Sequence, residues 1–482
     1  MVKTEMSATH LSRTWLVACA VLVLLLFGKT LSFVGAGQAT LEHDSKLYWH
    51  LGMQFAHGDW LLMENPQSIR PPGYPAYLGM MQRMFGDYGL VAAVIGQQIL
   101  DFVVVLLTAW LCFRCTRSPV GAFVGLVGSF FCISRSCFAS FLMADNLLCV
   151  TLTVYLVMML LWLERPSWWK TVAIGVLIGT SILIKPSAQL LWLSTIIVMA
   201  YKCWILSDSR TFGKYAVIML LGMFVILSPQ YIRNRICYGE YFLVRLTGWS
   251  MFTANFSNDE KKLPLPFADG PKTRQFLSEI RPTGIDPLAV DGGAVRNALC
   301  RVGHSELESD KLMESVGWEA ILNSPWRFAA GRVLRFTWFW ITPKAFVTDT
   351  PWGKFYSNGV AQPEITPVPG QHGWTLPSLA TANAAFLRAA WRPRWYLFAL
   401  AALAAGVGCV LMISRRMDRD AGLAIGSLLI VMCVPVAVLG WPQYRFRMIL
   451  EPAMIVAIAV LVVACGRGLQ RFGPISSRKT AK

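Results

Sequence analysis

The sequence predicts an all-α integral membrane protein: a bundle of about ten transmembrane helices, with further helices lying along the outer membrane surface and a long outer loop region. Three observations lead there. Of 482 residues, 55% are hydrophobic and only 15% charged, with a mean hydropathy of +0.49. A soluble chain carries about 25% charged residues, so a secreted disulfide scaffold, a disordered regulator and an ordinary cytosolic enzyme are excluded. Leu-, Val- and Ile-rich runs of about 20 residues, the first from Trp15 to Val34, match the roughly 30 Å hydrocarbon slab. Finally, the formal charge of +17 comes from basic residues that mostly flank these runs. In a soluble protein that charge would suggest nucleic acid. Here topology accounts for it first and anionic lipid or phosphate second, and no nucleic-acid partner is expected.

Taken in order, apolar spans fall at 15–34, 89–113, 118–136, 146–163, 170–184, 187–206, 214–231, 395–413, 421–439 and 446–466. Small residues follow the first, Gly35-Ala36-Gly37-Gln38-Ala39, as they would follow a signal peptide. Its length exceeds a usual signal core and favours a retained anchor. With both termini in the cytoplasm, the inside loops hold Arg114 and Arg117, then Arg165 and Lys170, Arg210 and Lys214, and Arg415, Arg416 and Arg419. The tail adds Arg467, Arg471, Arg478, Lys479 and Lys482. This obeys the positive-inside rule at every turn and suits a multi-pass plasma (inner) membrane protein. Treating 327–342 as a further span would put the Arg415–Arg419 cluster outside. That stretch, with Arg327, Arg332 and Arg335 among Trp338, Phe339 and Trp340, therefore reads as a helix lying on the surface.

The chain thus divides into a membrane core at 1–235, an outer region at 236–394, and C-terminal spans with a basic tail at 395–482. The first outer loop, 35–88, shows helical periodicity at Ser45–His57 and Tyr74–Phe85. The region 236–394 mixes Pro/Gly-rich stretches with a small helical subdomain expected around 305–342. The twelve cysteines lie mainly in apolar spans, where a thiol acts as a small hydrophobe. Cys112 and Cys115 form a lone C-x-x-C, weak evidence for metal or redox chemistry. Cys237 and Cys300 share the outer region and are candidates to pair in an oxidising compartment.

Ionisable residues recur at the outer ends of apolar helices. The first loop opens with Glu42-His43-Asp44-Ser45, then Tyr48, and continues to Arg70-Pro71-Pro72-Gly73-Tyr74-Pro75. The prolines fix φ and the glycine permits a tight bend, which holds Arg70 and Tyr74 in place. Asp145-Asn146 stands in the second outer turn, Lys185-Pro186 in the third, Arg233-Asn234 after the seventh span, and Tyr444-Arg445-Phe446-Arg447 before the last. Singly, each cation reads as a snorkelling side chain. Their recurrence on one face marks a functional pathway instead. His43, His50 and His57 repeat every seven residues, about 10 Å of helix, too far apart to share a metal. Asp101, beside Gln97 and Gln98 inside the second span, reads as a helix–helix hydrogen-bonding group.

In this order, D-S-x-x-Y, R-P-P-G-Y-P, an acidic second turn, K-P, R-N and an R-Y-R-like entry, here Tyr444-Arg445-Phe446-Arg447, the pattern resembles the polyprenyl-phosphate-dependent membrane glycosyltransferases of the GT-C fold. The nearest branch is the protein O-mannosyltransferase and lipid A aminoarabinose transferase type. The resemblance covers roughly 15–235 and 440–455 and leaves 236–394 unmatched. It implies a GT-C-type bundle and transfer of a sugar from a polyprenyl-phosphate donor to a glycan, lipid or protein acceptor. Asp44 matches the family's catalytic aspartate, so it takes the general-base role, with inversion at the anomeric carbon. The phosphate leaving group needs preorganised cations more than an acid; Arg70, Lys185, Arg233 and Arg445 are the candidates. Asp145, where many relatives carry glutamate, would orient a cation or a sugar hydroxyl. Glu42, Tyr48, Tyr74 and Tyr444 would line the substrate cavity. No cofactor is implied with certainty. Glu42-x-Asp44 resembles the acidic pair of metal-using relatives and makes a divalent metal a candidate, although two carboxylates are a thin ligand set. The rival class is a transporter or flippase for a lipid-linked or anionic substrate, which should show repeats or mid-membrane polar groups. No internal repeat is visible.

Overall fold

The computed structural model describes residues 14–28, 30, 44–64, 66–132, 135, 139, 142–205, 209–256, 263–289, 292–341, 395–414, 419–438 and 449–471. These residues are all-α, with no strand among them. In chain order the helices are α1 (Thr14–Gly28), α2 (Asp44–Ala56), α3 (Gly73–Phe85), α4 (Gly89–Thr116), α5 (Pro119–Phe131), α6 (Ala144–Glu164), α7 (Trp168–Ile184), α8 (Leu191–Ile205), α9 (Ser209–Tyr238), α10 (Thr247–Phe256), α11 (Pro271–Ile280), α12 (Gly292–Arg301), α13 (Glu306–Asn323), α14 (Pro325–Ile341), α15 (Trp395–Ser414), α16 (Arg419–Val438) and α17 (Glu451–Arg471).

Each of the ten expected spans is occupied by a helix, α1, α4 to α9 and α15 to α17. Four stretches are long and apolar enough to cross a membrane by length and composition: Gly73–Thr116, Ala144–Glu164, Pro186–Ile205 and Arg210–Tyr238. Shorter apolar helices stand beside them, and together they mark an integral membrane protein. Two boundaries differ from expectation. The last helix starts at Glu451 rather than 446, because Pro452 in its first turn is preorganised for a helix start. The span expected to exit at Pro229 runs on to Tyr238. Proline inside an apolar helix removes one backbone bond that neighbouring groups can replace, so Arg233 and Asn234 are helical residues of α9.

One large apolar core joins α2 to α9 with α15 to α17. Its tightest seam is α7 against α9. A Cβ at Gly175 would collide with the carbonyl oxygen of Met219, so only glycine lets these backbones meet. At one end of the bundle, basic side chains cap helix C-termini. Lys170 donates to the carbonyl of Leu161, and Arg467 to that of Thr116, 2.9 Å away. Lys202 pairs with Asp420 and ties α8 to α16.

A second, separate core of Phe252, Phe256, Phe276, Val295, Leu299, Met313 and Val316 holds α10 to α13 together. The helical subdomain therefore begins near 247, well before the expected 305. Its organiser is α13. Ser305 and Glu308 close a capping box on its own N-terminus. Asp310 accepts from the backbone amides of Gly248 and Trp249 and caps α10. Glu319 accepts from the amides of Lys272 and Thr273 and caps α11, whose own N-cap is Gly270. One helix thus satisfies the orphan donors of three. The subdomain also grips the first loop: Ser68 donates to Glu306 at 2.9 Å and accepts from the Arg245 amide at 2.7 Å. Cys237 and Cys300 do not pair. Cys237 lies 3.6 Å from the sulfur of Met63 at the end of α9, whereas Cys300 contacts Ser309 within the subdomain. His50 and His57 are exposed.

Burial opposes the charge on Glu319, but the Lys272 and Thr273 donors outweigh it and hold its carboxyl below the usual range. A depressed folded value means stability that is present above the unfolded value of about 4.3 and lost as pH falls through the folded one. Acidification, or Glu319→Ala at neutral pH, should lower the hydrogen-exchange protection factors, referred to intrinsic rates at the same pH, of the Lys272 and Thr273 amides; loss of the cap should cost about 1 kcal/mol. Unchanged exchange at both amides would remove the cap from the argument.

Candidate functional site

The prolines and the glycine of Arg70-Pro71-Pro72-Gly73 decide where the site forms. Gly73 begins α3 against the end of α7: a Cβ there would lie 2.6 Å from the backbone carbon and oxygen of Leu183. This backbone-to-backbone contact brings Arg70 and Tyr74 beside the residue that follows α7, Lys185. Lys185 precedes Pro186, and the residue before proline is driven out of the helical region. Its backbone is extended, at φ −151 and ψ 122, which ends α7 and turns the side chain toward the start of α6. There its ammonium pairs with Asp145, which sits in the first turn of α6, where the helix dipole favours an anion.

The first turn of α2 supplies the other carboxylate. Asp44 Oδ1 accepts from Arg70 Nη2 at 2.6 Å, with the two side chains 27% and 13% exposed. The Arg70 guanidinium lies 5.3 Å from the centre of the Tyr48 ring. Tyr48 in turn packs edge-on against Tyr74, ring centres 4.9 Å apart. Desolvation opposes charge on Arg70. Tyr48, Asp44 and Asp145 outweigh it, so the guanidinium is held above its usual range. Asp44, Arg70, Tyr48, Tyr74, Asp145 and Lys185, distant in the sequence, thus form one electrostatic cluster. Arg70 has donor capacity to spare, since its buried Nε has no hydrogen-bond partner among the described residues.

Two expected roles change. Arg233 is not free to hold a phosphate: it is 2% exposed and donates to the carbonyls of Leu61, Leu62 and Gln67 and to Asn234 Oδ1. Those bonds use nearly all of a guanidinium's five donors. Arg233 staples the loop that leads to Arg70, and Asn234 continues the staple to the carbonyls of Phe242 and Leu243. Tyr74 is a wall support rather than an open cavity residue. It is fully buried, and its hydroxyl donates to Gln97 Oε1 at 2.8 Å. Tyr48, 4% exposed, likewise backs Arg70. Glu42, Tyr444 and Arg445 lie outside the described residues, as does His43.

The sequence reading missed Arg135. It is fully buried and donates to Asp101, so the hydrogen bond expected of Asp101 is made within an ion pair. One turn before Asp101 on α4, Gln97 donates to the carbonyl of Ala139 and its own carbonyl accepts from Asn146. Together these bonds pin the segment that enters α6 and so set the position of Asp145. The lone arginine between two apolar runs was the available signal. Among the described residues no group of three or more His, Cys, Asp and Glu could hold a metal ion. Asp44 and Asp145 are each engaged by a cation, and Glu42 lies outside the described residues.

No model of a protein family matches the chain, and no curated protein does. Among solved structures, the chain is similar to ArnT from Cupriavidus metallidurans bound to undecaprenyl phosphate, at 14% identity and a TM-score of 0.41, covering 95% of this chain and 80% of that one. It is similar to the Archaeoglobus fulgidus oligosaccharyltransferase in complex with Zn and sulfate, at 11% identity and a TM-score of 0.46, covering 93% of this chain and 50% of that one. It is also similar to the oligosaccharyltransferase AglB from Archaeoglobus fulgidus in complex with an inhibitory peptide and a dolichol-phosphate, at 13% identity and a TM-score of 0.44, covering 96% and 52%. The chain spans about half the length of the two oligosaccharyltransferases. Likeness at this level assigns neither activity nor ligand.

Gly73→Val should lower the thermal unfolding midpoint in detergent by an amount equivalent to about 1–3 kcal/mol, because backbone atoms cannot yield to the added side chain. Asp101→Asn should cost more, about 3–5 kcal/mol, since it leaves Arg135 charged and buried. A Gly73 variant as stable as the parent would show that α3 does not need its contact with α7.

Proposed function

We propose that the protein is a membrane glycosyltransferase that moves a sugar from a polyprenyl-phosphate donor to an acceptor at the extracytoplasmic face, with inversion. The observation that carries this reading is the meeting of two carboxylate–cation pairs, Asp44 with Arg70 and Asp145 with Lys185, beside one tyrosine wall. The motif resemblance supports it.

The reaction asks for a base on one side of the anomeric carbon and positive charge on the other. In this reading the donor phosphate takes over the Arg70 guanidinium, whose Nε, without a partner among the described residues, offers a second donor for bidentate contact. With the Arg70 contact handed to the phosphate, Asp44 acts as base. The acceptor oxygen attacks the anomeric carbon while its proton passes to Asp44. The bond from that carbon to the phosphate oxygen breaks, and its electron pair leaves with the phosphate. Lys185, held by Asp145, shares the charge that develops there. Resting ion pairs thereby keep both cations in place, poised for the donor, and avoid uncompensated charge at the membrane rim. Arg445 remains a candidate for the same phosphate. Arg233 acts indirectly, by holding the loop before Arg70.

Purified protein given a panel of polyprenyl-phosphate sugars should consume one of them. Asp44→Asn should insert and fold normally yet lose transfer by about 10²–10⁴-fold, the usual contribution of a general base. Asp145→Asn should weaken transfer less. Undiminished turnover by Asp44→Asn would remove that residue from the mechanism.

A further inference from the structure

Both halves of the charged cluster are fastened to α4, and one residue of that helix fastens them together. Gln97 is fully buried. Its side-chain oxygen accepts from the Tyr74 hydroxyl of α3 at 2.8 Å, and its side-chain nitrogen donates to the carbonyl of Ala139 at 3.0 Å. Its main-chain oxygen accepts from Asn146 Nδ2 of α6 at 2.9 Å. Tyr74, Ala139 and Asn146 are as deeply buried as Gln97, so none of these groups can exchange its partner for bulk water. An amide suits this place because it both accepts and donates at the end of one unbranched stem. A carboxylate only accepts, an ammonium only donates, and asparagine is one methylene shorter. Any of them strands a buried hydroxyl or carbonyl, which costs more than a bond gains.

Further bonds stiffen the grip on either side. Tyr77, one turn after Tyr74 on α3, donates to the carbonyl of Ala93, one turn before Gln97 on α4, at 2.6 Å. The two tyrosines thus lock α3 antiparallel along α4. Toward α6, the Ala139 amide donates to the carbonyl of Arg135 at 3.0 Å, and Arg135 is held by Asp101, one turn after Gln97. Helix α4 therefore grips both ends of that turn.

The two branches end at different ion pairs. Tyr74 packs edge-on against Tyr48, and Arg70 lies over the Tyr48 ring, so the first branch fixes the wall behind Asp44 and Arg70. Asn146 follows Asp145 directly in the first turn of α6, so the second fixes the carboxylate that holds Lys185.

We propose that Gln97 is a positioning residue that sets the spacing between the two carboxylate–cation pairs, by fastening α3 and α6 to one amide-bearing residue. It touches no reacting group. Its effect on the rate rests on the transferase reading; its effect on the spacing does not.

Transfer kinetics and hydrogen exchange on the full-length protein test these two parts separately. Gln97→Leu should lower kcat by about 10–100-fold and leave the donor KM within about threefold, since a misplacement near 1 Å costs that much in rate. Tyr74→Phe and Asn146→Ala, on opposite branches, should be non-additive in kcat while Gln97 is present and additive in the Gln97→Leu background. Tyr74→Phe keeps the ring and removes only the hydroxyl. It should nevertheless lower exchange protection at Leu148 and Cys149 of α6 by about threefold, the scale of one weakened hydrogen bond. Thr108→Val, at a buried hydroxyl that donates to Val104 within α4, should change neither readout. A parent that consumes no polyprenyl-phosphate sugar would end the transferase reading, and exchange alone then judges the link. Unchanged protection in α6 of Tyr74→Phe would overturn the proposal. So would full kcat in Gln97→Leu of an active enzyme, or additivity of the two branches with Gln97 in place.

Discussion

Ionised side chains cannot be left alone in or beside a hydrocarbon slab, and that constraint organises this protein. Several deeply placed charges among the described residues serve as cross-links. Asp44 and Arg70 join the start of α2 to the turn before α3. Asp145 and Lys185 join α6 to the end of α7, and Asp101 and Arg135 join α4 to the segment entering α6. A guanidinium buried without a carboxylate, Arg233, finds backbone carbonyls instead. The apolar helices supply a frame with little lateral specificity, since lipid is as apolar as they are. Polar pairs supply the register.

How much of this was legible depended on whether the information is local. The spans were visible because hydropathy over about 20 residues reflects a property of the solvent rather than of a partner. The position of Lys185 was visible too, because Pro186 imposes an extended backbone on the residue before it. The convergence of Asp44, Arg70, Asp145 and Lys185 could be anticipated from their shared place at helix ends. The fate of Arg233 could not. Its sequence neighbours, Pro229 and Asn234, suggested a helix exit and a free cation, whereas its carbonyl partners lie more than 160 residues away. The burial of Tyr74 was hidden for the same reason: it depends on Gln97 of another helix.

The outer subdomain shows the limit more sharply. Helix α11 follows Gly270 and starts at Pro271, with no side-chain cap of its own. The caps of α10 and α11 are borrowed from α13, through Asp310 and Glu319, and no local pattern announces a cap supplied from another helix. The one signal on the surface of the sequence was Ser305-Glu306-Leu307-Glu308, a capping box marking where α13 begins. Starting from that box would have located the centre of the subdomain, though not its reach back to Thr247.

Ser68 carries a consequence for how the outer half of the molecule behaves. Its backbone carbonyl is tied to Arg245 and its hydroxyl to Glu306, while two residues later the chain delivers Arg70 to Asp44. Proline follows Arg70 at once, so the short tether between these attachments has little slack. Tilting of the subdomain relative to the bundle is therefore transmitted to the guanidinium as a tug on a nearly taut string. Whatever docks on that subdomain is mechanically in touch with the Asp44–Arg70 pair.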